Sequence, residues 1–151
     1  MEMQAEKFIL DRIPHRPPFL WLDRVVELSA DSIVAEKKIP DDLDIFKGHY
    51  PEYPLMPGVL LCEAVFQAGA LLVGEMLRDK KGDGKIDAGS GMPVLTRITG
   101  AKFKREVRPG DMIAVHARLK ERVGPAWFLK GTVRVQDKLA VQVEFACAVK
   151  G

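Results

Sequence analysis

The stretch "GHYPEYPLMPGVLLCE", Gly48 to Glu63, places an imidazole and a carboxyl group a short way apart, and both can move protons near neutral pH. A neutral His49 can accept a proton. Glu63 sits among "VLLC" and "AVF", where burial favours an uncharged carboxyl that can donate to a departing oxygen. Gln67 follows at i+4, so Glu63 and Gln67 form a narrow polar stripe on an otherwise apolar helix. Gly58 and Val59 fall in the first turn of that helix, where N–H groups lack intrahelical acceptors and the helix dipole favours negative charge. A base, an acid and oxyanion donors in one segment suit removal of a proton beside a carbonyl, coupled to loss or addition of a hydroxyl group.

Plainer readings compete for each of these residues. Pro51, Pro54 and Pro57 recur every three residues and could form a polyproline ligand. They run straight into an apolar helix, however, and so are better read as stiffening a loop that delivers His49 to a fixed place. His49 alone could be an ordinary surface or core histidine, and Glu63 an ordinary exposed helix residue. Gly48 before the histidine, Tyr50 after it and the apolar neighbours of Glu63 weigh against both.

The elements that must position these groups are readable from hydrophobic period. "QAEKFILDRIP" suggests a short helix that Pro14 ends, and "WLDRVVEL" and "SIVAEKKI" suggest a strand hairpin turning at Ser29 to Asp31. Pro57 to Arg78 is a proline-initiated run of Leu, Ala, Val and Met, a helix about 30 Å long. It is apolar on nearly every side, so other elements must cover it all round. Ile113, Val115, Ala117 and Leu119 alternate with polar residues, as do Trp127, Leu129, Gly131, Val133 and Val135, and then Leu139, Val141, Val143, Phe145, Cys147 and Val149. With "AKFKREV" these predict a meander of long antiparallel strands with one buried face.

Asp79 to Gly91, "DKKGDGKIDAGSG", invites a calcium-loop reading that fails at two positions. Lys81 stands where the third ligand should be, and Ser90 replaces the closing glutamate. The segment reads as a solvated connector. No repeat or second domain is evident, and one domain over residues 1–151 is expected.

The chain carries 23 basic and 21 acidic side chains, a formal charge of +2, so no overall field points to nucleic acid. Cys62 and Cys147 lack metal-like spacing, and "MEMQAEKF" lacks the regions of a secretory signal, so a reduced cytoplasmic setting is expected. Val59 to Leu77 contains Glu63, Gln67 and Glu75. Charged groups at a bilayer centre cost about 2.5–3.5 kcal/mol each, which argues against a membrane span.

At these residues the chain resembles the (3R)-hydroxyacyl-[acyl carrier protein] dehydratases of the FabZ type. "LDRIPHRPPFLWLDRV" is similar to that family's N-terminal block, and "GHYPEYPLMPGVLLCEAVFQAGALL" to its active-site loop and central helix. "AKFKREVRPGD" resembles the following strand and turn, and "AWFLKGTVRVQDKLAVQVEF" the closing hairpin. The resemblance implies an α+β hot-dog fold, a curved antiparallel sheet wrapped round one long helix. It implies a homodimer or trimer of dimers, with sites that pair the loop histidine of one subunit with the helix carboxylate of the other.

Carried onto this chain, it makes His49 the base, Glu63 the acid, Gly58 the oxyanion donor with Val59 beside it, and Gln67 the residue that orients Glu63. It implies no cofactor or metal. The partners it implies are an acyl thioester and an acidic acyl carrier protein, for which Lys102, Lys104 and Arg108, read as one strand face, are candidate contacts. Glutamate at position 63 favours this type over related dehydratase/isomerases, which generally carry aspartate. Two departures bear on the acyl-chain tunnel: Arg97 in "VLTRITG" near a position usually small, and a long glycine-rich connector from Lys80 to Gly91. The rivals are a hot-dog thioesterase, which generally lacks the G-H-x-P loop, and a non-catalytic thioester binder, which would be expected to lose one catalytic side chain.

Overall fold

The computed structural model describes residues 5–81 and 92–150. A short helix α1 (Ala5–Leu10) leads to the hairpin strands β1 (Arg24–Leu28) and β2 (Ser32–Lys38). A single-turn helix α2 (Ile45–Gly48) and the proline loop precede the long helix α3 (Gly58–Lys81). The remaining strands are β3 (Met92–Phe103), β4 (Met112–Val123), β5 (Ala126–Val135) and β6 (Lys138–Lys150).

All strand pairs are antiparallel, in the order β1-β2-β4-β5-β6-β3. The six-stranded sheet curves around α3, the expected hot-dog arrangement. Alternation holds along β5, where Trp127, Leu129, Gly131, Val133 and Val135 are all buried, and along β4 for Ile113, Val115 and Ala117. Their inward side chains meet Leu61, Ala64, Val65, Ala68, Leu71 and Leu72 of α3 in one core. Burial of that many aliphatic side chains, at about 1.5–3 kcal/mol each, drives the wrapping. α3 is long and apolar enough to cross a membrane, yet 61% of its most apolar window is buried inside the protein, as a core helix requires.

Small residues let the helix approach the sheet. A Cβ at Gly131 would lie 2.2 Å from Val65 Cγ1 and 2.5 Å from the His116 carbonyl oxygen. A Cβ at Gly69 would lie 2.9 Å from the Phe145 ring. Bulk at either point would push α3 off the strands.

Three expectations change. Pro57 lies just outside α3, where its carbonyl accepts from Leu60 N–H (3.0 Å) and Leu61 N–H (3.2 Å), and the helix continues past Arg78 through Lys81. The connector expected from Asp79 therefore begins as helix, and its residues 82–91, with the rejected calcium-loop positions there, lie outside the described residues. "AKFKREV" is not a single strand, nor next to β4. β3 pairs with β6 at the sheet edge and ends at Phe103, because Lys104 N–H and Arg105 N–H both turn onto the Ala140 carbonyl (2.7 and 3.3 Å).

Candidate active site

The loop between α2 and α3 is held from several sides. His49 caps α2, its N–H bonding the Ile45 carbonyl at 2.9 Å. Tyr50 takes a left-handed conformation (φ 50°), which turns the chain sharply, and its ring packs edge-on against the imidazole at 4.8 Å between centroids. Met56 N–H bonds the Val107 carbonyl at 2.7 Å, fastening the loop to the segment after β3. His49 Nδ1 lies 3.1 Å from the Leu55 carbonyl oxygen. A carbonyl only accepts, so Nδ1 carries the hydrogen and Nε2 of the neutral ring keeps a free lone pair. The loop thus holds the imidazole in one tautomer.

Beyond Leu55 the chain enters α3, where Gly58 and Val59 have no intrahelical N–H acceptor. Gly58 carries the Phe103 ring against it: a Cβ there would lie 2.6 Å from Phe103 Cε1. Leu55, Gly58, Val59, Phe103 and Val107 line a largely apolar cavity of about 540 Å³, with Lys104 and Arg105 also on its wall. Free N–H groups at the end of a long helix, beside an apolar cavity, can hold the developing negative charge of a carbonyl oxygen.

Glu63 occupies a different cavity, about 260 Å³, shared with His15, Phe66, Ala70, Phe145 and Cys147. Gln67 is fully buried and makes three bonds: it accepts from Trp21 N–H at Oε1 (2.9 Å), and Nε2 donates to the Phe19 carbonyl (2.9 Å) and to Glu63 Oε2 (3.1 Å). The expected Glu63–Gln67 pairing is therefore present, and the same amide ties the segment before β1 onto α3. His15 Nε2 stands 3.6 Å from Glu63 Oε2. Burial lowers the His15 pKa, partly countered by the Glu63 charge and reinforced by Arg16. Cys147, in the same cavity, is pushed up to about 11 by burial and stays a thiol.

His15 went unrecognised from sequence. The only signal was an imidazole set in "IPHRPP", between prolines that fix a loop, and nothing local says that this loop lies against α3.

No hydrogen bond or ion pair joins His49 to Glu63 among the described residues, and Glu63 and Gly58 line separate cavities. The basic trio does not form one strand face. Lys102 lies in β3 opposite Gln142, whereas Lys104 and Arg108 follow the strand end. Arg108 stacks on the Tyr53 ring (4.5 Å) and bonds the Tyr53 hydroxyl and Glu106 (3.1 Å). Arg97 is exposed on β3 and lines neither cavity, whose nearby wall is Pro93, Val94 and Leu95. Among the described residues no group of three or more His, Cys, Asp or Glu is arranged to hold a metal ion.

Residues 13–144 match the FabA-like domain family. A 3-hydroxyacyl-[acyl-carrier-protein] dehydratase FabZ of Paracidovorax citrulli is 40% identical over 143 residues, 94% of either chain. The FabZ of Lactococcus lactis is 37% identical over 134 residues, covering 89% of this chain and 87% of that one. Among solved structures, the dehydratase heterocomplex ApeI:P of Xenorhabdus doucetiae superposes with a TM-score of 0.75 at 14% identity, over 95% of this chain and 91% of that one. A hypothetical thioesterase protein from Streptococcus pneumoniae with coenzyme A gives 0.64 at 11% identity, over 85% of each chain, a likeness of fold alone. With near-complete coverage at this identity, the chain belongs to the FabA-like family and, within it, to the FabZ-type dehydratases.

Proposed function

We propose that the protein dehydrates (3R)-hydroxyacyl thioesters on acyl carrier protein to trans-2-enoyl thioesters in fatty acid synthesis, with His49 as base and Glu63 as acid. His49 Nε2 takes the C2 proton, and the electron pair left on C2 forms the C2–C3 double bond. The C3–O bond breaks as Glu63 gives its proton to the departing oxygen, so that water leaves. Gly58 N–H, with Val59 next to it, holds the thioester oxygen while charge develops, an interaction worth about 2.7–4 kcal/mol for one donor. The observation that carries this reading is the His49 Nδ1–H bond to Leu55 O at 3.1 Å, which leaves Nε2 free to act as the base.

Because no hydrogen bond or ion pair joins His49 to Glu63 of one chain among the described residues, and the cavity at Glu63 is lined without His49, the site is completed by a second copy, the histidine of one subunit meeting the carboxyl of the other. β3 supports this arrangement. It is an edge strand of 12 residues, with Val94, Leu95, Ile98 and Phe103 exposed, and a long apolar edge is a template for pairing with another chain. A homodimer, or a trimer of such dimers, follows. Phe66, Ala70 and Phe145 beside Glu63 offer apolar walls to the acyl chain. Lys104 and Arg105 at the other cavity, with Arg108 nearby, offer charge to an acidic carrier, and Lys102 adds to it from β3.

The test incubates purified protein with 3-hydroxyacyl and enoyl thioesters while following enoyl absorbance and free thiol together. Enoyl formation without thiol release is expected, and His49→Ala and Glu63→Gln should each remove most of it. Thiol release without enoyl product would replace this reading with a thioesterase. Neither product would leave a non-catalytic binder.

A further inference from the structure

The hydrogen bonds around Gln67 leave its amide no choice of orientation. Trp21 N–H can only donate and the Phe19 carbonyl can only accept, so Oε1 faces the first and Nε2 the second. The other Nε2 hydrogen then points at Glu63 Oε2, 3.1 Å away. His15 Nε2 faces the same oxygen at 3.6 Å, and His15 Nδ1 is buried without a partner. A buried N–H without an acceptor is rare, so the ring hydrogen belongs on Nε2, the nitrogen nearer the carboxyl, and Nδ1 is bare. Glu63 Oε1 has no protein partner among the described residues.

We propose that His15 is a positioning residue that, with Gln67, holds Glu63 Oε2 as an acceptor and confines the acid proton to Oε1. This rests on Glu63 being the acid. An oxygen that accepts the Gln67 N–H at 3.1 Å and faces the His15 ring nitrogen at 3.6 Å is a poorer place for a proton than Oε1, which is free to present one to a departing hydroxyl. The lowered His15 pKa agrees, since a neutral ring can turn its N–H towards Oε2 without placing a charge beside the protonated carboxyl.

The test compares wild type, His15→Phe, His15→Gln and Glu63→Gln in the dehydration assay. Phenylalanine fills the space with no donor, whereas a glutamine amide can reach the place of the ring Nε2. For His15→Phe, kcat should fall about 10- to 100-fold with KM little changed, and His15→Gln should recover most of that loss. Wild-type kcat in His15→Phe, or no recovery in a folded His15→Gln, would overturn the proposal while leaving Glu63 as the acid. Full activity in Glu63→Gln would overturn both. A further measurement needs no folded His15→Phe: nitrogen NMR of histidine-labelled wild type should show the Nε2–H tautomer for the signal missing from His15→Gln. The Nδ1–H tautomer there would contradict the proposal.

Discussion

Replacing Gln67 by methionine keeps an unbranched side chain of similar reach and removes every hydrogen bond of the amide. Three partners lose theirs: Trp21 N–H, the Phe19 carbonyl and Glu63 Oε2. Trp21 is buried, so its N–H finds no water and carries the full penalty of an unsatisfied donor, about 1–3 kcal/mol. Phe19 and Glu63 are partly exposed and can recover water, for about 1 kcal/mol or less each. A buried thioether offsets some of this loss, giving a net destabilisation of about 1–3 kcal/mol. Urea unfolding at one fixed protein concentration reads this as a lower midpoint with an unchanged slope. Gln67→Glu should cost at least as much, because it turns an oxygen towards Phe19 O and Glu63 Oε2. A Gln67→Met protein within about 0.5 kcal/mol of wild type would refute the idea that this amide fastens residues 19–21 to α3.

Gly131→Ala should cost about 3 kcal/mol, because its Cβ would meet both Val65 Cγ1 and the His116 carbonyl oxygen. Adding Val65→Ala should relieve only part of this in a double-mutant cycle, since the carbonyl is backbone; complete recovery would show that the side chain alone sets the approach. Stability should also fall with acid. His15 and His116 both have pKa values lowered by burial, His116 further by Arg134 and with Glu27 opposing, so the unfolded chain binds more protons once pH drops towards 6.5. The stability from keeping both rings neutral is present above that pH and lost on descending through it. Unfolding midpoints from pH 8 to 5.5 check this, and a double His15→Gln, His116→Gln variant should flatten the slope.

Much of the architecture was legible because it rests on period. The apolar run of α3 and the alternation in β4 and β5 depend only on neighbours along the chain. Strand order does not: β3 lies beside β6, the last strand, a pairing between segments some forty to sixty residues apart that no local pattern encodes. The same limit explains the basic trio. Lys102, Lys104 and Arg108 share a face only if the strand continues, and it stops where two N–H groups converge on Ala140. In the site, Glu63 with Gln67 was readable from helical spacing, whereas His15 reaches Glu63 through a loop whose path is set by distant contacts. Gly131 read as one more inward strand residue, and its need for a missing side chain becomes visible only with α3 packed on it.

The most direct test of a site shared between two copies mixes His49→Ala and Glu63→Gln subunits, each inactive alone, under conditions that let subunits exchange. In a mixed dimer, one site receives the intact histidine from the Glu63→Gln chain and the intact glutamate from the His49→Ala chain, while the other site receives neither. Random equal mixing makes about half of the dimers mixed, so activity should return to about a quarter of wild type. Mixing that leaves the enzyme inactive, with exchange verified by mass, would place both groups in one subunit and contradict the shared site.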